Sequence, residues 1–255
     1  MNYVENKTLV ITGASRGIGA AIARYTAAMG ARVVLSARSE AAVTEIANEI
    51  TAAGGQATAL ACDVSDCDQV SALMDHAIQV FGSIDVLVNN AGVIEPIARL
   101  IDSDPDAWGR IADVNYKGVY HGLRAAIPHM IGQGGGTIIN ISSGAATSAL
   151  EGWSHYCSSK AAVFSLTRCA DKEYRDQGVC VLGLSPGTVA TDMQAAIKNS
   201  GLNPVSQLDP SAHIPPEWVA KTVHHLCGPA GMTFAGTDFS LKSRDAKVQV
   251  GLPVS

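Results

Sequence analysis

Short apolar runs alternate with longer segments of helical period along almost the whole chain. Residues 7–12, 32–36, 56–61, 84–89, 137–142 and 179–185 read as strands. Several are continuous apolar runs without polar alternation, the pattern of strands buried on both faces of a parallel sheet. Between them, residues 17–29, 40–53, 66–81, 104–131 and 154–177 carry apolar positions three and four apart and are predicted as helices. Strand–helix repetition of this kind requires right-handed crossovers, so the expected class is α/β with a doubly wound parallel sheet of about seven strands. No linker, repeat or low-complexity tract divides the 255 residues, which implies a single domain. Residues 193–216 break the pattern. They are polar, interrupted by proline and glycine, and follow the last central strand on the side where such sheets bind ligands, so they are expected to form a substrate loop.

Composition narrows the function classes. Hydrophobic residues make up 47% of the chain, ample for a large core, and only 16% are charged, which argues against disorder. The net charge of −5 comes with no basic stripe, so nucleic acid is not an expected partner. No apolar run reaches the ~18 residues needed to span a bilayer. The first residues lack the charged-then-apolar layout of a signal peptide, and the expectation is a cytoplasmic protein without membrane contact. Cys62, Cys67, Cys157, Cys169, Cys180 and Cys227 form no Cys-x-x-Cys pair, and most sit among apolar neighbours. Buried free thiols in a reducing compartment are expected, with neither disulfides nor a metal site.

The turn after the first strand reads Thr12-Gly13-Ala14-Ser15-Arg16-Gly17-Ile18-Gly19 and runs into an alanine-rich helix. Glycines there permit a tight turn, let backbone N–H groups approach a pyrophosphate, and let the helix pack closely on the sheet. The spacing is Gly-x-x-x-Gly-x-Gly, and its place between first strand and first helix marks a Rossmann-type dinucleotide site. Sites for NAD place an acid at the end of the second strand to hold the ribose 2′-OH. Here that strand ends Leu35-Ser36-Ala37-Arg38, with no carboxylate. Arg38 and Arg16 together suit a 2′-phosphate through forked, charge-assisted hydrogen bonds, so NADP(H) is the expected cofactor.

Tyr156 and Lys160 stand four apart on a predicted helix, with Ser143 thirteen residues before the tyrosine. Residues at that spacing share a helix face, so the ammonium is expected to lie beside the phenol and lower its pKa from ~10. Ser142 competes with Ser143, but neighbouring residues at a strand end point in opposite directions, so only one is expected to reach the site.

With these motifs the chain resembles the short-chain dehydrogenase/reductase family in its compact single-domain form, over about residues 7 to 241. Residues 12–19 resemble the family's cofactor turn, and Asp63-Val64 the pair whose acid meets the adenine. Asn89-Asn90-Ala91-Gly92 resembles the motif that steadies the sheet and borders the cofactor. Pro186-Gly187, Val189 and Thr191 resemble the segment beside the nicotinamide, and Asn115, Ser143, Tyr156 and Lys160 the catalytic tetrad. The resemblance implies hydride transfer between NADP(H) and a small carbonyl or alcohol substrate. Tyr156 donates the proton, Ser143 holds the same oxygen, Lys160 binds the ribose and lowers the tyrosine pKa, and Asn115 holds a water that resupplies protons. It also implies a homodimer or homotetramer.

Trp153, Leu150, Ile94 and Met193 are candidates for the substrate wall, and His155 is expected to be incidental. His224-His225 lack the spacing of paired metal ligands. Ketoacyl-carrier-protein reductases of the family carry basic residues near the pocket mouth. The matching positions here, Gly134 and Gln177, are uncharged, which favours a free small-molecule ketone or aldehyde. A ketoacyl reductase or an alcohol-oxidising enzyme is the alternative, and a non-catalytic NADP sensor a remote one. The chain also departs from the family at its end, where a double glycine is replaced by a basic, apolar tail after Leu241, which puts the usual C-terminal tetramer contact in doubt.

Overall fold

In the computed structural model, which describes residues 1–254, every residue of β1 (Thr8–Thr12), β4 (Val86–Asn89) and β6 (Val179–Ser185) is buried. This is what unbroken apolar runs demand. With β2 (Arg32–Ala37), β3 (Gln56–Ala61), β5 (Gly136–Ile141) and β7 (Asp238–Ser240) they form one seven-stranded sheet in the order β3-β2-β1-β4-β5-β6-β7. All six pairings are parallel. The fold is the expected Rossmann-like α/β.

Side-chain alternation sends Leu9, Ile11, Val33 and Leu35 into one layer, under α1 (Gly17–Ala28), α2 (Glu40–Ala52) and α8 (Pro216–Leu226). Val10, Val34, Leu87 and Ile138 enter the other, under α3 (Cys67–Phe81), α5 (Gly118–Gly132) and α6 (Ser154–Tyr174). Among the described residues no helix is long and apolar enough to cross a membrane.

Three details depart from the pattern reading. The stretch expected as one helix over 104–131 is α4 (Pro105–Ala112) and α5, joined by a π turn at Asp113–Lys117 that contains Asn115. A π turn adds one residue without ending the helix, so apolar periodicity does not reveal it. The segment 193–216 is not wholly irregular, because α7 (Asp192–Ser200) fills its first part and ends at Gly201, whose φ is 64°. Past the last predicted strand, α9 (Pro229–Thr233), β7 and α10 (Arg244–Val250) close the sheet edge, with Ala246 and Leu252 in the core. All six cysteines are free, but only Cys62, Cys180 and Cys227 are buried, while Cys169 is exposed on α6.

A polar ladder crosses the sheet interior. Asn89 Nδ2 donates to Asn140 Oδ1 at 2.9 Å, and Asn140 Nδ2 donates to Thr167 Oγ1 at 2.9 Å, locking β4, β5 and α6 together. Gly122 makes room for it, since a Cβ there would lie 2.3 Å from Asn89 Oδ1. Asn140→Ala strips two buried partners at once. It is expected to lower unfolding free energy by about 1–3 kcal/mol, read from urea midpoints at unchanged slope.

Candidate active site

β1 and β4 are neighbours whose connections leave in opposite directions, so a crevice opens at their C-terminal ends. The backbone N–H groups of Asn90 and Ala91 donate to Thr12 Oγ1 at 3.1 and 3.2 Å. Asn90 Nδ2 in turn donates to the carbonyls of Thr12 and Gly13 at 2.9 and 3.0 Å. Gly13, at φ 64°, presses on this seam, because a Cβ there would stand 2.7 Å from Ala91 Cα. Gly19 lies behind it, where a Cβ would meet Gly13 O at 2.5 Å, so it shapes the turn without lining the cleft.

The cleft itself has a volume of about 880 Å³. Gly13, Ser15, Arg16, Gly17 and Ile18 line it from the β1 turn, and Asn90, Ala91 and Gly92 from the β4 loop. Pro186, Gly187, Val189 and Thr191 line it from the loop after β6. α1 opens onto it with no side-chain cap and no acid in its first turn, whereas α2, α3, α4 and α10 are capped by Ser39, Asp66, Asp104 and Ser243. Open N–H groups at the positive end of a 12-residue helix, beside glycines that admit close approach, fit a dinucleotide pyrophosphate.

At one end stand Arg38, Asp63 and Val64. Burial pushes the Asp63 carboxyl up, but two hydrogen bonds from Ser65, with Arg38 and Arg110 nearby, carry it below its ordinary value. Arg16 reaches across the cleft to Asp192 at 3.1 Å. Both side chains are exposed, so the pair is worth about 0–1 kcal/mol and opens readily.

Ser143, Tyr156 and Lys160 converge at the other end. Ser142 turns away and donates to Asp238 Oδ2 at 2.7 Å, while Ser143 lines the cleft. The Lys160 ammonium donates to Ile141 O at 2.7 Å, and its Nζ stands 5.7 Å from the Tyr156 ring centre. The expected lowering of the tyrosine pKa is not found. Burial pushes the phenol up to about 12, against the neighbouring Ser143, which works the other way. Burial likewise takes Lys160 down to about 8, partly offset by Asp238. Desolvation dominates both shifts.

Asn115 is fully buried behind this end and does not line the cleft. Its Oδ1 accepts from Val93 N at 2.8 Å, and its Nδ2 donates to Val93 O at 2.8 Å and Ser159 Oγ at 3.3 Å. Both amide hydrogens are spent, leaving one lone pair of Oδ1 for a water. His155 is not incidental: it is buried, with Nε2–H donating to Ile94 O at 2.7 Å, and so holds the β4 loop against α6. Burial lowers its pKa, keeping the ring neutral.

Ile94, Leu150, Trp153 and Met193 form an apolar wall around Tyr156, with the indole edge-on to the phenol at 5.5 Å. Sequence reasoning missed Arg110, Glu95 and Lys242 on the cleft. It also misplaced Gly134 and Gln177, which flank the N-terminal ends of β5 and β6, at the opposite end of the sheet from the cleft. Their lack of charge therefore says nothing about this chain's pocket mouth.

A family model described as short chain dehydrogenase matches residues 7–201. The chain belongs to the short-chain dehydrogenase/reductase family. Membership makes it an oxidoreductase acting on CH–OH or keto groups with a nicotinamide cofactor. A 3-oxoacyl-[acyl-carrier-protein] reductase from Synechocystis sp. is 36% identical over 244 residues, 94% of this chain and 97% of that protein. A cis-4-hydroxycyclohexanecarboxylate dehydrogenase from Sinomonas cyclohexanicum is 37% identical, covering 90% of this chain and 92% of its own. A cyclohexanol dehydrogenase from Acinetobacter sp. is 30% identical over 93% and 94% of the two chains. A crystal structure of a short-chain type dehydrogenase/reductase from Mycobacterium marinum superimposes with a TM-score of 0.85 at 32% identity, covering 93% of this chain and 94% of that one.

The buried Lys160 has a consequence for stability. Its folded pKa of about 8 lies below the ordinary 10.5, so between those values the unfolded chain binds the extra proton. Stability contributed by this site therefore rises with pH over that window. Lys160→Met is expected to remove the rise. Urea unfolding of the nucleotide-free protein from pH 7 to 10 should show wild type gaining on the variant above pH 8. A constant difference would mean that Lys160 is not held back by burial.

Proposed function

We propose that this enzyme reduces a small ketone or aldehyde to an alcohol with NADPH, by a reversible reaction in which Tyr156 is the acid–base group. One observation carries the reading. Tyr156 and Ser143 line one end of a cleft beside an apolar wall, with an uncapped helix N-terminus at its middle and Arg38 at its far end. The bound nicotinamide supplies the hydride. The chain's own residues receive the negative charge that grows on the substrate oxygen: Tyr156 O–H and Ser143 O–H both donate to it, and Tyr156 passes its proton over. A neutral, protonated phenol, the form burial favours, is what an acid must start from.

Lys160 is placed to hold ribose hydroxyls and to support the phenolate once its proton is gone. Asn115 acts as a positioning residue, fixing Val93 and Ser159 around that lysine and leaving Oδ1 for a water. Arg38, with Arg16 once it leaves Asp192, grips the 2′-phosphate. Exposed Tyr116 and Tyr120, on the helix that carries Asn115, support association of two copies through α5 and α6.

A second reading, reduction of a 3-oxoacyl group on a carrier protein, is favoured by the Synechocystis relative, aligned over nearly its full length. Alcohol oxidation is favoured by the names of the Sinomonas and Acinetobacter relatives, and uses the same groups in reverse.

Tyr156→Phe is expected to lower kcat by about 10²–10⁴-fold while NADPH affinity, followed by nicotinamide fluorescence, stays within twofold. Unchanged turnover would point to a protein that binds nucleotide without using this tyrosine. In the same assay the wild type is expected to bind NADPH more tightly than NADH, and Arg38→Asp to reverse the order. Equal affinities that the variant leaves alone would remove the 2′-phosphate site.

A further inference from the structure

Lys242 stands two residues past the end of β7 and belongs to the segment where a double glycine is replaced by a basic tail. Its backbone is fixed on both sides. Leu241 is buried and its N–H donates to Ser185 O at 3.0 Å, while Ser243 caps α10 by accepting from Ala246 N at 3.3 Å. From this platform the side chain runs along the cleft wall across two glycines. A Cβ at Gly187 would lie 3.6 Å from Lys242 Cγ, and a Cβ at Gly144 would lie 3.2 Å from Lys242 Nζ. The ammonium therefore sits over the residue next to Ser143, one Cα step (~3.8 Å) along the chain from the serine that faces Tyr156.

The other charges on the cleft are accounted for. Arg16 pairs with Asp192 at 3.1 Å, Arg110 stands 3.9 Å from Asp63, and Lys160 is buried on Ile141 O. Arg38 lies at the far end with Asp63. Glu95 is on the β4 loop, and β5 and β6 separate β4 from β7, so it stands on the opposite wall. Among the described residues no carboxylate comes within 4.0 Å of Lys242. At the reacting end it is an exposed cation on a fixed backbone, lining the cleft beside Gly144, with no anion of its own.

We propose that Lys242 is a specificity-determining residue for an acidic substrate: a ketone or alcohol with a carboxylate a few bonds from the reacting carbon. The ammonium holds the carboxylate while Ser143 and Tyr156 hold the reacting oxygen, and the apolar wall covers the carbon frame between them. The inference rests on the carbonyl–alcohol reading of this cleft and adds to it the charge of the substrate. A charge-assisted hydrogen bond is worth about tenfold in affinity.

The test is read by binding, so that absent turnover counts against the reaction and absent charge preference counts against Lys242. The NADPH-saturated protein is titrated calorimetrically with cyclohexanecarboxylate and with its methyl ester, which differ in charge and lack a reducible ketone. Wild type is expected to favour the carboxylate over the ester. Lys242→Met should shrink that ratio about tenfold, Lys242→Glu should reverse it, and Lys242→Arg should restore most of it. NADPH affinity should change less than twofold in all three. A wild type that favours the ester or ranks both alike overturns the proposal, as does a preference that survives Lys242→Met. If NADPH affinity falls in Lys242→Met and the ligand ratio does not move, the lysine serves the nucleotide, and the proposal is again overturned.

Discussion

The site depends on one backbone crossing. At the C-terminal ends of β1 and β4, Gly13 has to lie against Ala91 with no side chain between them, at a distance a Cβ would cut to 2.7 Å. Thr12 holds the seam by accepting two N–H groups with one hydroxyl, and Asn90 returns its amide to the carbonyls on either side. These bonds satisfy strand-end groups that no neighbouring crossover covers. They also set the separation between the glycine turn and the β4 loop, so the open end of α1 faces the cleft at a fixed angle. Everything farther along, from the phosphate cradle to the reacting end, is aimed from this joint.

At the reacting end the dominant force is desolvation. A phenol raised to about 12 and an ammonium lowered to about 8 are both held back from ionising, and Asp238 is raised by burial in the same region. The scaffold tolerates this because α6 is long and packed from Val163 to Ala170 in the core beneath the sheet. The cost of keeping two ionisable groups dry is local, while the contacts that hold them are spread along the helix. His155 adds a lateral tie to Ile94, so the apolar wall and the tyrosine move as one unit.

The parts legible in the sequence are those set by local periodicity or by covalent neighbours. Fully buried parallel strands show as unbroken apolar runs, the glycine turn is contiguous, and Tyr156 and Lys160 share a face because four residues nearly complete a turn. Alternation told that only one of Ser142 and Ser143 reaches the site, and the thirteen-residue spacing to Tyr156 pointed to Ser143; Ser142 turns to Asp238. The π turn at Asn115 was hidden because it leaves the apolar stripe on either side in register. The direction of the tyrosine shift was misjudged for a different reason: spacing tells which groups are near, but the dryness of their surroundings also comes from Ile94, Met193 and Ile197, which lie far from both in sequence.

Lys242 and the pair Gly134 and Gln177 show where linear reading ends. Gly134 and Gln177 sit beside strands that carry site residues, yet at the wrong ends of those strands, because a parallel sheet gathers its loops at one edge and its strand entries at the other. Lys242 lies far from Ser143 in the chain, at the close of a strand of only three residues that no apolar run announces. It reaches the cleft because β7 pairs with β6, and β6 with β5, which brings the ends of all three strands to the same edge. The glycines at 144 and 187 then leave a track for its side chain. Lys242 and two glycines, one about a hundred and the other about 55 residues upstream, act as one feature, and only sheet order makes them so.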